Sequence, residues 1–335
     1  MTTEAALFPI IACCRFSIEK TSTWHCWFAN AFREKNWRVE TMKIDINYEM
    51  TAPLSHIGET ASTGAYFNMV KTQVGRLPVI TGNSIRGQIR DAGACELLDR
   101  LGEKVDKEVF HVLFSGGNVS SSMKDDVGRA AAVREHFPLI SVLGGALGTM
   151  IMSGKLLCGF AYPVCRETQD LLDVDCDISW HDMIDEIEFT RTDDAKNDKL
   201  AKYMIDAEAE NTGTASQQMR YSVQYIAAGT TFKQRLVLLP GITDSEVGAL
   251  LLSIAHWWQT APRLGGMSAK GFGMFDGYAE MDGRRVIAVN AGGMKISEDV
   301  QTLIDKYRAE TNDCAQHFDL LKGGTKNAKK ADSAD

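Results

Sequence analysis

The sequence predicts an α+β fold built on a split β-α-β-β-α-β sheet with its helices on one side. Three observations predict it. Residues 37–53 alternate as a strand. A helical stripe of apolar side chains follows Ser84. Two alternating runs, Tyr221–Tyr225 and Phe232–Leu238, then precede a second apolar helix and a strand through Tyr278. With 335 residues, 44% of them hydrophobic and 24% charged, the chain can bury the core of one elaborated domain or two modest ones.

In the first strand Val39, Thr41, Lys43 and Asp45 point one way and Glu40, Met42, Ile44 and Ile46 mostly the other. In the following helix Ile85, Ile89, Ala92, Cys95 and Leu98 fall at helical spacing, with Asn83 or Ser84 as N-cap. Ser115–Ser122 is a loop by composition, and residues 139–162 are apolar and glycine-rich, their last part, Lys155–Tyr162, reading as a strand. In the second half Tyr221, Val223 and Tyr225 share a face, and Ala228-Gly229 turns the chain. Phe232, Gln234, Leu236 and Leu238 share the next face, and Pro240-Gly241 ends that strand. Thr243 or Asp244 caps a helix whose stripe is Val247, Leu250, Leu251, Ile254 and Trp258. Arg263–Gly273 is a loop leading into the last strand. The residues from Lys322 on are small, polar and charged, as in a disordered tail. No repeat at solenoid periods is present.

No segment approaches the ~18 continuous apolar residues of a membrane helix. An acidic residue, Glu4, stands where a secretion signal would be basic. The eight cysteines are scattered, with no C-x-x-C pair, as expected of buried thiols in a reducing cytoplasm. His25-Cys26 lacks partners at zinc-ligand spacing.

A net charge of −8 argues against a polyanion partner, but its distribution reverses that reading. Glu167–Glu210 holds fifteen acidic and four basic side chains, as in a solvated insertion; the remainder holds 32 basic against 29 acidic. Between Leu54 and Arg90 stand Lys71, Arg76, Arg86 and Arg90 with one acid, Glu59.

Two glycine-rich turns carry the chemistry. The first, Thr81-Gly-Asn-Ser84, opens a helix bearing Arg86 and Arg90 four apart and hence on one face, with Gly87 allowing a ligand backbone to approach. A helix N-terminus offers free N–H groups and positive dipole, which attract phosphate. The second, Gly265-Gly-Met-Ser-Ala-Lys-Gly271, adds Lys270 to a run of backbone amides. Either turn alone is equally read as glycines permitting tight bends; the pair with the arginines favours polyanion binding.

Other candidates are weaker. Gly148–Lys155 has five residues between its glycines, where a P-loop needs four, and Leu156 replaces the magnesium-binding hydroxyl. Asp193-Asp194 lies in a block already crowded with acids. A lone His56 beside a strand end is more often a hydrogen-bonding structural residue than an acid or base. Trp258 belongs to the core stripe, whereas Phe272 and Tyr66 are better placed to stack bases.

Pro53-Leu-Ser-His-Ile-Gly58, Leu77–Arg90 and Leu264-Gly-Gly-Met-Ser-Ala-Lys-Gly-Phe-Gly273, in that order, resemble the backbone subunit of multi-subunit CRISPR effector complexes, the Cas-seven group of the RAMP superfamily. Leu143-Gly-Gly and the Tyr221–Phe232 segment fit it too, and the N-terminal extension with Ser-His-Ile-Gly-Glu looks most like the type IV version. The resemblance implies a ferredoxin-like, RRM-like palm with finger and thumb insertions. Its expected boundaries are an extension at 1–36, palm at 37–102, finger at 103–154 and a palm strand at 155–165. An acidic insertion with the thumb follows at 166–220, palm again at 221–290, a helical segment at 291–321 and the tail at 322–335.

It further implies copies stacked head to tail along a guide RNA (crRNA), other effector subunits, and a complementary target strand, in a prokaryotic cytoplasm and away from membranes. The residues expected to grip the guide are His56, Gly58, Asn83, Ser84, Arg86, Gly87, Arg90, Gly265, Gly266, Met267, Ser268 and Lys270. A thumb at 211–220, with Gln217, Gln218 and Met219, would interrupt pairing. Type III relatives cut target RNA with an aspartate in the loop after the first strand. Ile57–Ile80 has no aspartate and one acid, Glu59, so a non-catalytic scaffold without metal or cofactor is expected. The alternatives are a metal-dependent endoribonuclease using Glu59 or Asp193/Asp194, and a stand-alone RNA-binding module.

Overall fold

Strand β1 (Met42–Met50) is central to the main sheet because it is apolar at every second position. Met42, Ile44, Ile46, Tyr48 and Met50 are all buried on one face, the register the alternation predicts. The structure is a computed structural model; it describes residues 40–60, 64–119, 127–191 and 219–322, all in one compact unit, Arg38–Asp335. Short strands follow β1: β2 (Ile57–Thr60), β3 (Gly64–Phe67), β4 (Met69–Thr72) and β5 (Gly75–Pro78).

Helix α1 (Gly82–Leu101) starts earlier than predicted. Its N-cap is Thr81, whose hydroxyl accepts from the Ser84 N–H, so neither Asn83 nor Ser84 caps it. Packing sets this boundary: a Cβ on Gly82 would stand 2.2 Å from the Cys158 carbonyl oxygen, so glycine lets the first turn lie on the neighbouring strand. Gly102, at φ 68°, ends the helix in the left-handed conformation. Ile85 and Ile89 are buried as expected, but Cys95 is exposed while Gly93, Ala94 and Leu97 are buried. The helix is clasped on two sides, which a single-stripe reading misses.

The second clasp is made by α2 (Lys107–Ser115), α3 (Val127–His136), α4 (Pro138–Leu143) and the hairpin of β6 (Gly145–Leu147) and β7 (Met150–Met152). Val109, Leu113, Val133, Phe137 and Leu147 form a core of their own with Ala94 and Leu97. Lys155–Tyr162, predicted as one strand, is two: β8 (Leu156–Cys158) and β9 (Tyr162–Pro163). Between them Ala161 turns aside to exchange two 3.0 Å backbone hydrogen bonds with Ile80. Helix α5 (Gln169–Leu172) follows.

Strands β10 (Ile184–Arg191) and β11 (Met219–Ile226) pair antiparallel and join β3 and β2 in a separate sheet ordered β10-β11-β3-β2. The predicted strand carrying Tyr221, Val223 and Tyr225 therefore does not open the second half of the main sheet. Alternation specifies a strand but not its neighbour.

The main sheet is completed by β12 (Thr231–Leu238), β13 (Phe275–Met281), β14 (Arg284–Asn290) and β15 (Gly293–Ile296), with helices α6 (Asp244–Thr260) and α7 (Glu298–Glu310). Its order is β15-β14-β13-β1-β12-β8, with β9 also on β12. The inner four, β13-β1-β12-β8, are antiparallel and follow the 4-1-3-2 order of a split β-α-β-β-α-β unit. The fold is thus α+β with a ferredoxin-like palm, and Ile85, Ile89, Leu250, Leu251 and Trp258 share its core with the buried face of β1. Thr243 caps α6 through a reciprocal box with Glu246. Among the described residues no helix is long and apolar enough to cross a membrane.

Candidate nucleic-acid interface

The second glycine-rich turn packs on the Pro53–Gly58 segment. Gly266 donates its N–H to the Ser55 carbonyl at 2.7 Å, and Gly273 donates to the Pro53 carbonyl at 2.7 Å. Gly265 sits at φ +69° with its α-carbon so close to the Pro53–Gly58 segment that a Cβ would lie 2.2 Å from the Ser55 oxygen. Met267 continues the loop in the left-handed region at φ 59°, and one turn of 3-10 helix, Ser268–Lys270, follows.

His56 links this joined corner to α1. Its Nε2 accepts from the Thr81 N–H at 3.2 Å and lies 3.4 Å from the Thr81 hydroxyl; the N–H bond requires the ring proton on Nδ1. Its carbonyl accepts from the Asn68 N–H at 2.8 Å. Burial lowers the imidazole pKa from 6.5. His56 is half-buried, and the bond from Nε2 fixes the start of α1, the hydrogen-bonding structural role that a lone histidine beside a strand end more often has.

The first turn of α1 carries no acidic residue, and Asn83 is exposed with Ser84 half-exposed. The helix thus supplies no anion of its own to the positive end of its dipole. Arg86 is half-buried, and its side chain makes no hydrogen bond or ion pair with any described residue; its Nε is buried without a partner. The Cys158 thiol close to it is neutral, because burial pushes its pKa to about 11. Gly87 has no atom within 4 Å of where a Cβ would stand, so packing does not require glycine there.

Arg90 departs from the expectation. It is 8% exposed, and its guanidinium donates to the carbonyls of Leu143 (3.3 Å) and Gly144 (2.8 Å). Burial, with Arg86 nearby, pulls its pKa down to about 10. Four-residue spacing places Arg86 and Arg90 on the same side of α1, but the end of α4 and Gly116 cover the later one. Its two bonds make Arg90 a structural tie between α1 and the end of α4.

Lys270 sits 4.8 Å from the Phe189 ring and 4.9 Å from the Tyr221 ring, and donates to the Tyr221 hydroxyl. Its charge anchors the loop to the β10–β11 hairpin. Phe272, expected as a stacking surface, is 6% exposed and packs against Phe189 and Tyr225. Tyr66, by contrast, is 43% exposed. The outer face of the palm sheet, where RRM-like folds often stack bases, is laced with charge instead. Arg235 pairs with Asp45 at 2.6 Å, and Arg285 lies 3.9 Å over the Tyr278 ring.

Gly58 is exposed beside Asn68, to which a Cβ would approach within 2.8 Å. Gln217 and Gln218 lie outside the described residues, as do His25, Cys26 and the Asp193-Asp194 pair; Met219 opens β11 opposite Arg191. Glu59 pairs in register with Tyr66 on β3. Among the described residues no group of three or more His, Cys, Asp or Glu side chains is placed to hold a metal ion. Sequence reasoning missed Asn68, Trp180 and Gln224, which line a hollow beside Gly58; the one signal was the Trp180-His181 doublet inside an acidic block.

No family model and no curated protein matches the chain. Its fold is similar to that of a chain in a solved structure named "Type IV-B CRISPR Complex", with a TM-score of 0.50 and 17% identity over 71% of this chain and 90% of that one. At that identity the likeness is one of fold.

Proposed function

We propose that this chain is a guide-RNA-binding backbone subunit of a CRISPR surveillance complex, holding the ribose-phosphate chain without reading its sequence. The observation that carries the reading is the convergence of Gly266, Ser55 and the N-terminus of α1, beside an Arg86 side chain with no internal partner. The positive end of the α1 dipole and an unpaired guanidinium in its second turn suit a phosphate. The fold it shares with a chain of the type IV-B complex supports the same setting.

In this reading the partners are the crRNA, further copies of the chain along it, other effector subunits and the complementary target, in a prokaryotic cytoplasm. The subunit is a scaffold rather than a nuclease, because the loop after β1 lacks the aspartate of the cutting relatives.

The test is Arg86→Glu in the full chain expressed with its locus. RNA retention falls at least tenfold while the thermal transition stays in place. Unchanged retention of RNA in a folded variant overturns the proposal.

A further inference from the structure

The outer face of the palm sheet, away from the helices, holds a pocket of about 480 Å³. β1 and β12 form its floor, and the β8–β9 loop and α5 form one wall. Asn47 lies on this floor at 5% exposure, on the side of β1 opposite Ile46 and Tyr48. Its carboxamide makes no hydrogen bond with any described residue, which leaves a donor and an acceptor without partners at the base of the pocket. Lys233 stands directly across from it on β12, half-buried, and its ammonium makes no hydrogen bond or ion pair with a described residue. The acids nearby are already engaged: Asp45 pairs with Arg235 at 2.6 Å, and Glu280 lies 3.7 Å from Arg285. The wall is apolar. Phe160 and Leu171 are exposed, Tyr162 meets Phe160 edge to face at 6.2 Å, and Leu172 completes it.

A buried amide and a cation beside rings and branched chains suit an apolar group that carries one carboxylate. The volume is that of a small-ligand pocket. We propose that the pocket binds a carboxylate with an apolar body, the chemistry shared by a polypeptide C-terminus ending in an aromatic or branched residue and by a free aromatic acid. Lys233 meets the carboxylate, Asn47 meets the polar group next to it, and the apolar body lies against Phe160, Tyr162 and Leu171. Asp45 and Glu280 on the same floor repel a polyanion, so a single negative charge is the better match. The inference goes beyond the proposed function, because the pocket shares no residue with the expected grip on the guide.

The test titrates the full chain, by calorimetry, with N-acetylphenylalanine, with its carboxamide, and with the peptide Ala-Ala-Ala-Ala-Phe. Both acids bind, and the carboxamide binds about tenfold more weakly. Lys233→Met brings N-acetylphenylalanine down to the level of its carboxamide. Phe160→Ala weakens all three ligands, and the thermal transitions of both variants stay in place. A peptide that binds more tightly than the single residue identifies a chain terminus as the source, whereas equal affinity identifies a free acid. If the acid and its carboxamide bind alike, if no acid binds, or if a folded Lys233→Met protein keeps the wild-type affinity for the acids, the proposal is overturned. It is equally overturned if Lys233→Met lowers RNA retention and leaves the acids unaffected, because the ammonium then serves the nucleic acid.

Discussion

His56 Nε2 accepts a hydrogen bond from the backbone N–H of Thr81, the residue that caps α1, across 3.2 Å. The two residues are 25 positions apart, and their bond ties the strand-end corner to the helix whose N-terminus is proposed to meet phosphate. Because the acceptor nitrogen must be unprotonated, this joint is sensitive to acid.

The pH dependence follows from the lowered imidazole pKa. The unfolded chain takes up a proton near 6.5 while the folded one resists it, so the unfolded state binds more protons as pH falls. The stabilisation is complete above about pH 6.5 and is lost as pH drops toward the folded pKa. Thermal melts of wild type therefore lose more stability on acidification below 6.5 than melts of His56→Gln. Parallel pH profiles for the two proteins would remove the joint from the argument.

Arg86 and Arg90 separate binding from folding. Arg90→Ala leaves the Leu143 and Gly144 carbonyls without their donor and costs about 2 kcal/mol, read from urea unfolding. Arg86→Ala leaves stability within about 0.5 kcal/mol while lowering RNA affinity and flattening its salt dependence. An Arg86→Ala protein with the wild-type salt slope contradicts a phosphate contact.

The glycines divide in the same way. Gly265→Ala forces a side chain onto the Ser55 carbonyl at positive φ and destabilises the corner by more than about 1 kcal/mol. Gly87→Ala meets no atom and raises stability by about 0.5–1 kcal/mol through helix propensity. In the guide-binding reading the same methyl weakens RNA binding. A Gly87→Ala variant that is more stable and binds RNA as well as wild type shows that no backbone passes there.

Glu246 is 3% exposed and accepts from Lys155 at 2.7 Å and Ser141 at 2.6 Å while completing the cap of α6. Glu246→Ala strands the Lys155 charge and removes half of the capping box. The expected cost is about 3–5 kcal/mol in denaturant midpoints converted with the measured slope. A loss under 1 kcal/mol would show that water replaces the carboxylate.

Local pattern determined much of this protein. The alternation of β1 named its buried face, the stripe from Val247 to Trp258 named the inner side of α6, and Thr243 was legible as its cap. The two glycine-rich corners were also visible, because turns and helix starts are written in neighbouring residues. Tertiary structure decided what no window along the chain contains. Gly82 had to lie on the Cys158 carbonyl, which moved the cap of α1 to Thr81. The end of α4 and Gly116 covered Arg90, while Arg86 was left unpaired among the described residues. The Tyr221–Tyr225 strand chose β10 and β3 as neighbours, carrying Phe272 into a core. Periodicity fixes which side of an element is apolar, whereas partners, burial of charge and the meeting of distant corners depend on contacts between residues far apart in sequence.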